Sequence, residues 1–341
     1  MSRKIRKKPV TIQDVATECG ISSSTVSRVL NNSILVGDGV RAQVLETAKR
    51  LGYQKRTIRK QESRAILNIA LFLPETRSKD INLFYDVSEF VKGINTGFGE
   101  VKANIIVRIN QHDDKGFRNK KLGDIDGCIF AFTTPKPDLV RMIEQRQIPL
   151  LLVNRYASQH DSIVYDSEQA MGLLVEKIIA KNLLRGRVDV RPCYIGFLPV
   201  AYINKERREA VSHACRRFGV PFGLANDVFE FQSLTDISSD FSRNLKNRGY
   251  NAIICFNDFV AIQLYLGALR CNFQFPDDFS LTGYDDSPAL GLMDRRIDTI
   301  RFDVHELGRE AGEVLSRRII GRHATPIHVR LDGIYNEGET I

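Results

Sequence analysis

The sequence predicts an α/β protein in two parts: an N-terminal three-helix helix-turn-helix head, then a two-lobed, doubly wound α/β domain. Three observations carry this reading. Apolar residues between Thr11 and Leu51 recur at helical spacing around a tight turn. The surplus of positive charge is confined to the same end of the chain. From Leu67 onward, apolar runs of strand length alternate with amphipathic helical stretches, the pattern of parallel sheets covered on both faces.

The head comes first. In TIQDVATECGISSSTVSRVLN, Ile12, Val15 and Ala16 share one face of a short helix, and Val26, Val29 and Leu30 share one face of a second. Thr11 stands at an N-cap position with Asp14 three residues on, a variant of the capping box; Gly20 ends the first helix and Ser22 caps the second. A third helix fits Asp38 to Leu51, through Val40, Val44, Leu45 and Ala48, with Gly52 ending it. In a helix-turn-helix the second helix lies in the DNA major groove and offers the side chains of its N-terminal half to base edges. Here those are Ser23, Ser24, Thr25, Ser27 and Arg28, all able to hydrogen-bond. A helical hairpin with a polar outer face has the same bare pattern, so the charge and the rest of the chain must decide.

Of the net +8, none belongs to the body. Residues 1–64 hold fourteen Lys/Arg against five Asp/Glu, and the remaining 277 hold thirty-five against thirty-six. A basic head on a neutral body is the electrostatic footprint of nucleic-acid binding; a solvated tail is the plainer alternative. No apolar segment follows Arg3–Lys8 and no run of eighteen apolar residues occurs, so a cytoplasmic protein with no membrane partner is expected. Cys19, Cys128, Cys193, Cys215, Cys255 and Cys271 are scattered without a CxxC pair and are expected as buried free thiols. The six histidines lack metal-ligand spacing, and there is no nucleophile elbow or phosphate loop. No metal, cofactor or catalytic residue is therefore expected.

In the body, the expected strands are ILNIALFL, NIIVRI, GCIFAF, PLLLVN, SIVYD, PCYIGF, NDVFEF, AIICF and FSLTGY. The expected helices are 85–101, 139–145, 168–181, 205–218, 237–248, 258–270 and 304–320. So many strands would overload one small sheet, which argues for two lobes. In such folds ligands sit in the crevice beyond the carboxyl ends of the strands. The polar residues that fall there are Asn154 and Arg155 after IPLLLV, Asn257 and Asp258 after AIICF, and Asp285 and Asp286 after SLTGY. Turn capping is the plainer role for Asp285, Asp286 and Ser287.

The run TIQDVATECGISSSTVSRVLN followed by VRAQVLETAKRLGY resembles the DNA-binding head of the lactose/galactose-repressor family of bacterial transcription regulators, without a gap from Thr11 to Tyr53. The segments NLFYDVSEFVKGI, DIDGCIF, IPLLLVNR, VYDSEQAMGLLVEKI, RREAVSHACRRFGV, CFNDFVAIQLYLGAL, FPDDFSLTGYDDSPAL and IDTIRFDVHELGREA resemble, in family order, its effector-binding core. That core shares its fold with type I periplasmic sugar-binding proteins. The resemblance implies a head at 1–57, a linker at 58–67 and an effector domain at 68–341. The chain would cross between lobes near Ile163, Thr299 and Ala324, giving a first lobe of 68–163 and 300–324 and a second of 164–299 and 325–341.

In the family the linker becomes a helix on DNA, and a leucine wedges into the minor groove. This chain has no linker leucine before Leu67 and carries Lys55 where the family has proline, so its five basic residues between Gln54 and Arg64 are expected to act on phosphates instead. Gly37 and Val40 replace the family's serine cap and threonine, and the third helix is expected to start less firmly.

The implied function is sequence-specific transcription regulation, as a repressor of carbohydrate-utilisation genes. A homodimer, or a pair of dimers, would bind double-stranded DNA at a near-palindromic operator, switched by a sugar or sugar-phosphate effector between the lobes. Arg28 is expected to contact a base with Ser23 and Ser24 beside it, while Thr11, Ser22, Thr25, Ser27, Asn31 and Tyr53 bond phosphates. By the same resemblance Asp285 accepts from two neighbouring sugar hydroxyls, and Arg207 reaches the effector, Arg208 being the alternative register. Phe84 and Tyr85 line the pocket, with core packing the alternative for Phe84, and Phe302 stands where some members place a polar pocket residue. Ala201 and Ile203 are apolar where purine-binding members hydrogen-bond their ligand, which favours a carbohydrate. The alternatives are a non-sugar effector, a phosphorylated carrier protein as co-effector, a soluble sugar-binding protein, and a sugar-processing enzyme using Asp285 with Asp286.

Overall fold

A computed structural model describes residues 10–30, 37–51, 53, 66–74, 86–109, 125–321 and 325–341. They fall into two units, Met1–Ala65 and Ile66–Ile341.

The first unit contains α1 (Ile12–Cys19), α2 (Ser23–Leu30) and α3 (Asp38–Leu51). Both arms of the α1 capping box form: the Thr11 hydroxyl accepts from the Asp14 N–H at 3.3 Å, and the Asp14 carboxylate accepts from the Thr11 N–H at 2.7 Å. Gly20 ends α1 at φ 67°, a left-handed conformation that a side chain would strain. The interior is small: Val15, Ala16, Cys19, Val26, Val29, Val44 and Ala48, with Ile12, Leu30, Leu51 and Tyr53 packed against them. With Gly37 in place of a serine cap, α3 still begins at Asp38, where the apolar spacing puts it.

In the second unit, a six-stranded parallel sheet runs in the order β11-β5-β4-β3-β1-β2. It is built from β1 (Leu67–Leu73), β2 (Ala103–Ile109), β3 (Gly127–Ala131), β4 (Leu150–Val153), β5 (Asp161–Tyr165) and β11 (His328–Leu331). Between them run α4 (Val87–Phe98) and α5 (Pro137–Gln145), and α10 (Val304–Ile320) packs on α4. A four-stranded parallel sheet, ordered β7-β6-β8-β9, comprises β6 (Pro192–Phe197), β7 (Val228–Phe231), β8 (Ala252–Cys255) and β9 (Ser280–Thr282). Its helices are α6 (Ser167–Leu184), α7 (Ala201–Arg217), α8 (Ser239–Asn247) and α9 (Asp258–Leu269). A two-stranded antiparallel ribbon of β10 (Thr299–Arg301) and β12 (Ile334–Asn336) completes the unit.

The α4–α10 contact explains an otherwise costly choice of residues. An ideal Cβ on Gly93 would lie 2.0 Å from the His305 carbonyl oxygen, and one on Gly308 2.2 Å from that of Phe90. The helices meet backbone to backbone, which only glycine permits.

All nine expected strand runs form strands. The tail of the chain differs from expectation. The sequence reading gives residues 325–341 whole to the second lobe, yet β11 pairs with β5 in the first sheet, Val329 opposite Ile163. The third crossing therefore follows Leu331 rather than Ala324, and the first follows Tyr165 rather than Ile163. An edge strand alternating exposed and half-buried residues, HVRL, lacks the continuous apolar run that marks the others. The three-residue strands β10 and β12 are too short to announce themselves. The cysteines are free; Cys271 is half-buried and the other five are buried.

Candidate functional site

In the head, α2 commits Val26 and Val29 to the core, and of the expected DNA-contacting residues Ser22, Ser23, Ser24, Thr25, Ser27 and Arg28 lie on that helix or just before it. The Ser22 hydroxyl accepts from the Thr25 N–H at 3.1 Å and shares a 2.8 Å hydrogen bond with the Thr25 hydroxyl, so Ser22 caps the helix start. Ser23 is half-buried. Ser24, Ser27 and Arg28 lie within α2, with only their backbone positions described, and Asn31 lies outside the described residues, as does the linker 54–65. Tyr53 packs on the head's core while its N–H bonds the Ala48 carbonyl at 2.8 Å. Thr11, expected from sequence to bond phosphate, is otherwise engaged. Its hydroxyl and its N–H both donate to Asp14 at 2.7 Å, so its role here is to cap α1.

In doubly wound folds the carboxyl ends of the parallel strands are where a ligand is received. Four residues with positive φ stand at these ends: Phe132 at 60°, Asn154 at 53°, Asp285 at 103° and Asp286 at 53°. Backbone held in so sparsely populated a region costs of order 1–3 kcal/mol per residue and collects where geometry serves a site.

Arg207, on α7, is the centre. It is 5% exposed; one guanidinium nitrogen donates to the Phe256 carbonyl, and Nη2 lies 3.4 Å from the Asp285 Oδ1. Its guanidinium sits 3.6 Å from the Tyr284 ring centre and 4.6 Å from that of Phe256, a cation held over two aromatic faces. Asn257 is 1% exposed and caps α9, its Oδ1 accepting from the Val260 N–H at 3.1 Å. Arg207 Nε, Asn257 Nδ2 and the Tyr165 hydroxyl are buried and find no hydrogen-bond partner among the described residues. Unpaired buried donors are costly. All three belong to residues at or beside the carboxyl strand ends, where a hydrogen-bonding ligand could satisfy them.

Beneath the site, Asp258 is fully buried and accepts from the Thr299 hydroxyl at 2.6 Å and from the Ser287 N–H, fastening the 283–287 turn to β10. Burial pushes its carboxyl far above the carboxylate range, and the nearby Asp285 charge adds to this. Burial also pushes Asp285 up to about 6, against the pull of Arg207. Asp286 points to another task, accepting from Asn336 Nδ2 at 2.8 Å.

Of the residues read from the sequence, Arg207 and Asp285 come together, with Asn257 following Phe256, whose carbonyl accepts from Arg207; Arg208 turns instead to Glu230 at 2.9 Å. Asn154 takes its place at the end of β4, its N–H on the Ile163 carbonyl at 2.7 Å. Arg155 is expected from sequence to bind an effector, but two of its donors go to the carbonyls of Asn154 and Phe132, at 2.6 and 2.7 Å, bracing the loop. Phe302 is 8% exposed and packs between Tyr165 and Tyr284 rather than lining open space. Phe84 and Tyr85 lie outside the described residues. In the sequence Tyr165 and Tyr284 are only the closing residues of strands. The signal available is an aromatic ring at a carboxyl strand end, beside a residue already singled out.

Among the described residues there is no cluster of His, Cys, Asp or Glu that could hold a metal, and no helix is long and apolar enough to cross a membrane. Residues 11–55 match the family described as bacterial regulatory proteins, lacI family, and residues 191–341 match the periplasmic binding protein-like domain. The catabolite control protein A of Priestia megaterium is 25% identical over 90% of this chain and 92% of its own. The ribose operon repressor of Escherichia coli K12 is 26% identical over 91% and 93%. In fold, the chain is similar to the lac repressor dimer bound to operator and the anti-inducer ONPF, with a TM-score of 0.65 at 20% identity, covering 98% of this chain and 99% of that one. Relatives of this kind are regulators and not enzymes. This chain thus carries a lacI-family head at residues 11–55 and a periplasmic-binding-protein-like domain at 191–341, and its full-length relatives are lacI-family regulators.

Proposed function

We propose that this protein represses genes of carbohydrate use, binding a near-palindromic operator as a homodimer and releasing or tightening its grip when a sugar enters the crevice. The observation that carries this reading is the buried Arg207 guanidinium beside the Asp285 carboxylate, with unpartnered donors on Arg207, Asn257 and Tyr165 at the carboxyl strand ends, in a chain whose head is of the lacI type. A sugar ring offers hydroxyls that both donate and accept, so one ligand can satisfy the carboxylate and the three buried donors together. The aromatic faces of Tyr284 and Phe256 already hold Arg207, which leaves its Nε as the donor for a ligand.

On DNA, Arg28 reads a base edge, with Ser23 and Ser24 tuning the choice; Ser22, Thr25, Ser27, Asn31 and Tyr53 hold the phosphates. The two-fold axis of a dimer is what makes the operator near-palindromic. A ligand shifts the DNA-bound population only through different affinities for the two lobe arrangements.

The test has two stages: select binding duplexes from a random library, then titrate a panel of neutral and phosphorylated mono- and disaccharides against the selected duplex by fluorescence anisotropy. A duplex with two-fold symmetry and a sugar that changes its affinity are the expected results. Selection of no duplex would refute the DNA reading, and a panel without effect would refute the carbohydrate reading.

A further inference from the structure

We propose that Phe302, held between Tyr165 and Tyr284, is the positioning residue that sets the angle between the two lobes and ties it to the Arg207–Asp285 cluster. The proposal rests on the crevice being the ligand site. Its geometry is carried by the three places where the chain passes between lobes.

Tyr165 is the last residue of β5, at the first crossing, and belongs to the six-stranded sheet. Phe302 follows β10 directly, at the second crossing. Gly333 lies at the third, between β11 and β12. The Tyr165 and Phe302 ring centres are 4.1 Å apart, and those of Phe302 and Tyr284 4.9 Å apart. A Cβ on Gly333 would come 2.4 Å from Ile300 Cγ2 and 3.0 Å from Phe302 Cζ, so the third strand is shaped to the Phe302 ring. That strand is held in turn by Gln169 of α6, whose amide accepts from the Gly333 N–H at 2.9 Å and donates to its carbonyl at 3.1 Å.

One ring thus touches or is enclosed by all three crossings. It also abuts Tyr284, whose ring lies 3.6 Å from the Arg207 guanidinium, next to Asp285. A close-packed stack does not deform continuously. A displacement of Arg207 or of the 283–287 turn must therefore pass through Tyr284 to Phe302, and from Phe302 to Tyr165 in the other lobe. Thr299, three residues before Phe302, is bonded to Asp258, so the second crossing is anchored to the floor of the same site.

The experiment uses the full chain with Cys271→Ser, the five buried thiols left in place, and spin labels at Gln145→Cys on α5 and Lys205→Cys on α7, both exposed and one in each lobe. Pulsed electron resonance reads the inter-lobe distance with no sugar present, so its outcome does not depend on the sugar panel. Phe302→Leu is expected to shift the distance distribution or at least double its width. Phe279→Leu, a fully buried ring in the second lobe's core away from the crossings, is expected to lower the melting temperature and leave the distribution as in the parent. Arg207→Met is expected to move the distribution in the direction of Phe302→Leu. Should Phe302→Leu fail to fold, Tyr165→Leu is judged by the same rule. A parental distribution for Phe302→Leu, an equal change for Phe279→Leu, or an unmoved distribution for Arg207→Met would each overturn the proposal.

Discussion

The head and the crevice are held together by contacts of very different reach. In the head, Thr11 and Asp14 are three residues apart, Ser22 and Thr25 likewise, and the whole core is drawn from residues 10–53. In the crevice, Arg207 meets Asp285 across 78 positions, Asp258 meets Thr299 across 41, and Gln169 meets Gly333 across 164. A short-range unit can keep its form while its surface is varied. A long-range site inherits its geometry from whole lobes, so damage far away is felt at the ligand. This difference suits the proposed switch, in which the head would stay constant while the second unit changes shape.

Four substitutions or conditions test that contrast. Gly308→Val places side-chain carbons on the Phe90 carbonyl, where no flexible neighbour can yield, and should cost the second unit more than about 4 kcal/mol. Urea unfolding followed by far-UV circular dichroism should then show the receptor's transition moved to lower urea and the head's unmoved; a common shift of both would dissolve the distinction.

Arg28→Ala should weaken the selected operator by about 1–3 kcal/mol and relax its sequence preference, without touching sugar binding. Equal anisotropy curves for mutant and parent on operator and on random duplex would remove Arg28 from base contact.

Acid should separate the receptor's stability from its affinity. The Asp285 carboxyl is raised to about 6, so its own contribution to folding is complete at pH values below its unfolded range near 4 and is lost as pH rises through about 6. Acceptance of sugar hydroxyls requires the ionised form, so affinity runs the other way and should fall about tenfold per pH unit below 6. Calorimetric titration between pH 5 and 8 measures this, and Asp285→Asn should flatten the profile. An unchanged slope in that variant would place the titration elsewhere.

The smallest effect is local. Thr11→Ala removes the cap and one arm of its box and should cost the head about 1 kcal/mol. A thermal melt of the full chain that moved the receptor's transition as well would show the two units to be less independent than their contacts suggest.

Helix periodicity, caps and the charge step are legible because each is written in neighbouring residues. The head's three helices can be placed from Thr11, Gly20, Ser22 and a few valines, and the strands of the two sheets from continuous apolar runs. Strand ends then point to Asp285, which pairs with Arg207, and equally to Asn257 and Asp258, which are buried, the one capping α9 and the other fastening the 283–287 turn. The sequence does not show that the Arg155 guanidinium braces its own loop or that the Thr11 donors go to Asp14. Both side chains have the right chemistry, and only three-dimensional neighbours reveal which bonds are already made.

Local chemistry alone was enough to say that a basic helical reader precedes a two-lobed α/β receptor, because propensity, capping and apolar period act within a few residues. Tertiary structure decided that β11 belongs to the first sheet, that Arg207 rather than Arg208 faces Asp285, and that Phe302 is a packed ring at the crossings. Those outcomes depend on pairing and packing between segments far apart in the chain, and such contacts leave no periodicity in the residues on either side.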